Sequence, residues 1–396
     1  MSALRFCVLS LFLPVFLFAE PLNVSVNAEG AILMNADTGA ILYEKNAKSA
    51  FYPASITKVA TAAYTLHLVG NKLDKKIAAD QESLASISEE AKRRSNYTLP
   101  AYWLVPGGTH IGIKKGEELT LRDLIYGMMI ASGNDASNVI AQDLGGTIPH
   151  FMEDMNVYLQ SLGCKNTTFC NPHGLHHPKH VTSAYDMAII AREALKNPSF
   201  REVVSSLRYA RPKTNKQEAT TLVQTNRLLK KGKHYYSKAL GVKTGYTSQA
   251  QNTFVSAASN GNRTLIAVLL KSKERDDLFQ DTVKLFEAAF NQPKVRRTVV
   301  KAGPQKFVLE HDGAVSQIKT YAKEDLVLEY YPAEETKVKG LLYWDKVSFP
   351  IGKDTKVGEL RIQTEDGRVL QTTPLLAQQD VKASWSYWLK SFFSSQ

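Results

Sequence analysis

Three short strings in this chain combine residue types that can carry out acyl transfer. They are Ser55-Ile56-Thr57-Lys58, Ser132-Gly133-Asn134 and Lys243-Thr244-Gly245-Tyr246. On a helix, residues three apart share a face, so Ser55 and Lys58 would set a hydroxyl beside an amine at the helix start. Burial disfavours the charged form of a lysine, and the positive end of the helix dipole opposes a cation as well. A lysine with a lowered pKa beside a serine is a base beside a nucleophile. S-x-x-K by itself recurs by chance, and the three strings together are far more specific than any one. Ser132 and Asn134 fall at a break between helices, where a hydroxyl and a carboxamide can project into a cleft. Lys243 to Gly245 fall on a strand, where Gly245 permits close approach by a ligand.

The elements that must position these groups follow from patterning. Val59 to Val69 carries small or apolar side chains on every face, which predicts a helix buried inside its domain, bounded by Pro53 and Gly70. Before it, Ala31–Asn35 and Ala40–Glu44 flank the turn Asp37-Thr38-Gly39 and read as a hairpin. The polar, turn-rich stretch from Asp80 to Gly116 shows no period and reads as a long excursion, a lid over a site. Helices are expected from Thr120 (an N-cap) to Met129, from Asp135, from Ile148 to Leu162 and from Ser183 to Leu195. Strands return at 240–246, 252–259 and 264–271, and a helix over 277–290 closes the segment. Strands at both ends of a helical middle predict an α+β fold, an antiparallel sheet with helices packed beside it.

The 396 residues, 44% of them hydrophobic, suffice for two domains. The expected boundaries are a secretory signal over 1–19, a catalytic domain over 20–292, a small β-rich domain over 293–377 and an amphipathic tail over 378–396. Arg5, the short apolar run Phe6–Ala19 and Pro14 favour a cleaved signal over a membrane anchor, so the mature chain is expected to be exported. In the β domain, strands are expected at 346–352, 359–363 and 368–371. In the tail, Trp385, Trp388, Leu389, Phe392 and Phe393 recur at helical spacing, which suits a membrane interface. Cys164 and Cys170 fit either a disulfide or two buried thiols. The net charge of +11 suits anionic membrane or cell-wall surfaces, and no basic run interleaved with aromatics points to nucleic acid.

The three strings in this order are those of the β-lactamases and penicillin-binding proteins. With Pro53-Ala54 before Ser55, Asp135-Ala136 after Asn134, Asn171-Pro172-His173-Gly174-Leu175 and Tyr246-Thr247, the chain resembles the low-molecular-mass penicillin-binding proteins, specifically serine-type D-alanyl-D-alanine carboxypeptidases. The resemblance spans nearly the whole mature chain. It implies a β-lactamase/transpeptidase-like fold, no cofactor, and action on peptidoglycan stem peptides ending in D-Ala-D-Ala, with β-lactams as inhibitors. It also implies a protein on the outer face of the cytoplasmic membrane, held there by its terminal helix. By the same resemblance Ser55 is the nucleophile, Lys58 takes its proton, Ser132 relays a proton to the leaving D-alanine and Asn134 holds the substrate amide. Lys243, with Thr244 and Gly245, binds the terminal carboxylate, and the N–H groups of Ser55 and Tyr246 form the oxyanion hole. One departure is local: the family's glycine at the start of the next strand is replaced in Ala250-Gln251-Asn252.

Rival readings use the same residues. A β-lactamase needs a glutamate with an asparagine four residues on; Glu193 and Asn197 have that spacing but lie too far along the chain for the usual loop. His173, His176, His177 and His180 with Asp186 suggest a metal site, or simply a loop in which His173 belongs to the Asn171–Leu175 turn. A non-catalytic cell-wall-peptide binding protein would not need all three strings intact.

Overall fold

A computed structural model describes residues 8–9, 22–334, 338–365 and 367–387. Two compact units result, Pro21–Asn291 and Gln292–Gln396 together with the first twenty residues. A two-residue strand, β1 (Val8–Leu9), pairs within the second unit.

In the first unit the Asp37-Thr38-Gly39 turn joins β2 (Gly30–Asn35) to β3 (Ile41–Lys45), as the alternation predicted. A single 3-10 turn, Ala54–Ile56, leads into α1 (Thr57–Val69), whose residues 57–66 are all buried. Small side chains on every side let other elements pack around the whole circumference of α1, which is what an all-round apolar helix requires. The excursion after it is more ordered than its composition suggests. It contains the six-residue α2 (Glu89–Arg94) and is flanked by β4 (Lys76–Ala78) and β5 (Glu118–Thr120), which pair and close its base.

Thr120 caps α3 (Leu121–Met129) in a reciprocal capping box with Asp123. Then come α4 (Asn134–Gly145), α5 (Ile148–Ser161) and α6 (Ala184–Ala194). Two features escape the sequence pattern: α7 (Pro198–Ser205) and a hairpin of β6 (Arg208–Arg211) and β7 (Thr220–Val223). The chain closes with β8 (Ala239–Thr247), β9 (Gln251–Ser259), β10 (Thr264–Ser272) and α8 (Arg275–Phe290). The sheet runs β3-β2-β10-β9-β8, all antiparallel, so the two ends of the segment do meet, through β2 and β10. Strand β8 is an edge strand, and an unpaired edge is where an extended peptide can lie.

The second unit is all-β. It comprises β11 (Val295–Val300), β12 (Gly303–Leu309), β13 (Ile318–Ala322), β14 (Leu326–Tyr330), β15 (Val338–Trp344), β16 (Lys356–Thr364) and β17 (Val369–Ala377). The expected strand at 346–352 is absent: only Ile351 makes an isolated bridge, to Val381. Pro350, which has no N–H, cannot continue a ladder there. Trp385 is exposed; Trp388, Leu389, Phe392 and Phe393, and the expected signal apart from residues 8–9, lie outside the described residues. Cys164 and Cys170 are both free thiols. No helix of the described residues is long and apolar enough to cross a membrane.

Candidate active site

The position of Ser55 is set by a strained turn. Ala54, directly before Ser55, has φ 52, a left-handed value for a residue with a Cβ. Neighbours hold that turn from several sides. Thr253 Oγ1 donates to Pro53 O at 2.7 Å, and Thr57 Oγ1 donates to Ala54 O at 2.9 Å. His180 accepts from Cys170 N at Nδ1, so its Nε2 carries the proton that reaches Thr57 Oγ1 at 2.9 Å. Burial pushes His180 down to about 3, which keeps it neutral in that role. Two glycines close in on the turn because nothing larger fits. A Cβ on Gly174 would lie 1.9 Å from Ala54 O, and one on Gly245 would lie 2.8 Å from Ser55 N.

Lys58 is fully buried on the first turn of α1. Its Nζ lies 2.7 Å from Asn134 Oδ1, 2.7 Å from His173 O and 3.1 Å from Ser55 Oγ. Burial above all, and then the charge of Lys243, hold its pKa well below the ordinary 10.5; Asp135 pulls the other way. A neutral amine has two N–H donors and one lone pair. In that neutral form the two carbonyl oxygens, which only accept, would take both N–H groups and leave the lone pair for the Ser55 hydroxyl. With Oδ1 thus engaged, the Asn134 amide turns its Nδ2 away from Lys58 and toward Gly108 of the cleft wall.

The junction between α3 and α4 supplies the second string. Ser132 is buried with φ 65, a second left-handed strain at the same cleft. Asp135 braces the facing wall: its carboxylate accepts from the N–H groups of Ile111, Gly112 and Ile113 at 2.9–3.1 Å. On β8, Lys243 is buried and its Nζ donates to Thr244 O at 2.9 Å. Burial, followed by the charge of Arg275, brings it down to about 7.

Ser55, Ser132, Asn134, Thr244, Gly245 and Tyr246 line one cleft of about 480 Å³. Lys58 and Lys243 are buried behind its surface, Lys58 in contact with Ser55 and Lys243 with its charge acting on Lys58. Glu193 and Asn197 face a different depression, beside His67 and Tyr158, with Glu193 bound to Lys196 and Asn197 capping α7. His173 is likewise structural: Nε2–H donates to Tyr102 O and Nδ1 accepts from Leu175 N, while burial above all holds its pKa well below the ordinary value.

A serine hydroxyl 3.1 Å from a buried lysine amine, beside the edge of a five-stranded sheet, can be compared with known proteins. The D-alanyl-D-alanine carboxypeptidase family model matches residues 17–274, and the model for the C-terminal domain of penicillin-binding protein 5 matches residues 297–383. The chain belongs to the D-alanyl-D-alanine carboxypeptidase family. It is 34% identical to D-alanyl-D-alanine carboxypeptidase DacF of Bacillus subtilis, over 90% of this chain and 86% of that one. Penicillin binding protein 5 of Haemophilus influenzae superposes with a TM-score of 0.60 at 25% identity, over 91% of this chain and 98% of that one. The Streptomyces K15 DD-transpeptidase gives 0.58 at 29% identity, over 67% of this chain and 98% of that one. Within this carboxypeptidase frame, sequence reasoning missed Arg275 and the bracing roles of Thr57 and His180, the latter reading in the sequence only as a candidate metal ligand. Arg275 lines the cleft at the start of α8 and makes no ion pair among the described residues. Its one sequence signal is a cation at the wrong end of a helix, a placement the dipole opposes.

Proposed function

We propose that the chain removes the terminal D-alanine from stem peptides through an acyl-enzyme on Ser55. The contact set of Lys58 carries this reading: two carbonyl oxygens hold the amine so that its free lone pair meets the Ser55 hydroxyl. The substrate lies along β8 with its terminal carboxylate toward Arg275, Thr244 and the positive field of Lys243. Asn134 Nδ2 donates to the peptide carbonyl of the acyl half. Ser55 attacks the carbonyl carbon of the penultimate D-alanine as its proton passes to Lys58. The N–H groups of Ser55 and Tyr246 stabilise the oxyanion, a contribution of roughly 3–4 kcal/mol per donor. Ser132 passes the proton to the leaving D-alanine, and water then releases the shortened peptide. A β-lactam acylates Ser55 in the same way. Among the described residues the one glutamate lining the cleft, Glu89, lacks the asparagine four residues on that a lactamase base needs (Arg93 stands there), so the adduct turns over slowly.

The test is release of one D-alanine from a peptide ending in D-Ala-D-Ala, measured beside hydrolysis of benzylpenicillin. The reading expects peptide cleavage and a long-lived penicillin adduct on Ser55; rapid penicillin hydrolysis with no peptide cleavage overturns it. The apolar start and the aromatic tail support export to the periplasm and attachment to the membrane face through residues 378–396. Truncation after Lys382 then moves the protein to the soluble fraction with catalysis retained.

A further inference from the structure

Among the residues lining the cleft, two carry a charge: Arg275 and Glu89. Arg275 lies near enough to Lys243 of β8 for its charge to act there, and Gly245 of the same strand packs on Ser55 N. Gly174 packs on the same turn from elsewhere in the cleft lining and leads through Leu175 to His176, whose ring meets Tyr97 at 5.4 Å. The Tyr97 phenol in turn feels the charge of Glu89. For a peptide with its carboxylate at Arg275 and its scissile bond at Ser55, Glu89 is the remaining charged group of the lining that its acyl half can meet.

The segment that carries Glu89 is fastened in place. Asn138 Nδ2 donates to Ser83 O and Tyr102 O, the Lys92 ammonium donates to Trp103 O, and Ser88 Oγ caps Ala91 N. The neighbouring acids are engaged: Glu90 pairs with Arg94, and Glu82 accepts from Tyr102 and Trp103. Glu89 is half-buried, lines the cleft and has no hydrogen bond or ion pair among the described residues.

We propose that Glu89 is a specificity residue that favours substrates whose residue before the two D-alanines carries a free side-chain ammonium. This rests on the carboxypeptidase reading of the cleft. One residue of extended chain covers about 3.5 Å, so the residue next to the acylated D-alanine stands just beyond Ser55, and a long aliphatic side chain spans the rest. The ammonium binds Glu89 on the acyl side while the carboxylate binds Arg275 on the leaving side, which fixes the direction of the peptide along β8.

The test compares two peptides, Nα-acetyl-Lys-D-Ala-D-Ala and its Nα,Nε-diacetyl form, on the full-length protein. Wild type is expected to favour the free amine by about three- to tenfold in kcat/KM, as for a partly exposed ion pair. The preference should shrink in high salt. Glu89→Gln should bring the ratio to about one, and Glu89→Lys should turn it toward the diacetyl peptide. A general loss of fold lowers both rates together and does not invert a ratio. Equal kcat/KM values in wild type, or a preference that survives in Glu89→Gln, overturn the proposal while leaving the carboxypeptidase reading intact. Cleavage of neither peptide overturns both.

Discussion

The two walls of the cleft each bury a lysine, and the two are kept in different ways. Lys58 on α1 has three partners, and its pKa lies well below the ordinary range. Lys243 on β8 has one, the carbonyl of its own neighbour, and stands at about 7. The surroundings of Lys58 therefore suit the neutral amine, as the proposed role of base requires. Lys243 is a source of field whose charge weakens through neutral pH, and part of that field falls on Lys58. Burial alone does not separate these roles; the number and kind of acceptors around each amine does.

Removing each lysine should expose the difference. Lys58→Ala takes away the base and should cut Ser55 acylation by about 10²–10⁴, the usual range for general-base catalysis, read as loss of labelling by a fluorescent penicillin. Lys243→Gln removes only field and should cost about 10²-fold in kcat/KM. It should also move the acid limb of acylation to higher pH, because a cation that holds Lys58 down is gone.

Asp135→Asn should do the reverse. Asp135 raises Lys58, so its loss moves the limb to lower pH. The weakened grip on the N–H groups of residues 111–113 should cost about 1–3 kcal/mol in urea unfolding. Limbs that shift in one direction for both variants would break the comparison. The smallest effect is at Gln251, which has φ 54 and a buried Oε1 with no partner. Gln251→Gly should stabilise the protein by about 1 kcal/mol, seen as a higher Tm.

Sequence made the helix and the strands of the site legible because their signals are local. The small residues of α1, the hairpin turn at Asp37–Gly39 and the Thr120–Asp123 capping box each announce an element within a few positions. The departure at Gln251 was also visible, and its left-handed backbone shows why a glycine suits that place. What stayed hidden depends on partners far apart in the chain. The His180–Thr57 link that braces Ser55 spans 123 residues. Arg275 carries no motif and reaches the cleft only because β10 delivers the chain there. In the 80–116 excursion, α2 is too short to show a period, and long-range bonds from Asn138 hold its surroundings. The expected strand at 346–352 failed for the opposite reason: its apolar alternation is real, but Pro350 interrupts pairing.

The claim at the centre of this account is that Lys58 is neutral and ready to accept the Ser55 proton at ordinary pH. The direct test is the second-order rate of Ser55 acylation by benzylpenicillin followed across pH. The account predicts a rate that has reached its plateau well below the ordinary lysine pKa of 10.5. A rate that still climbs through pH 10 would contradict it.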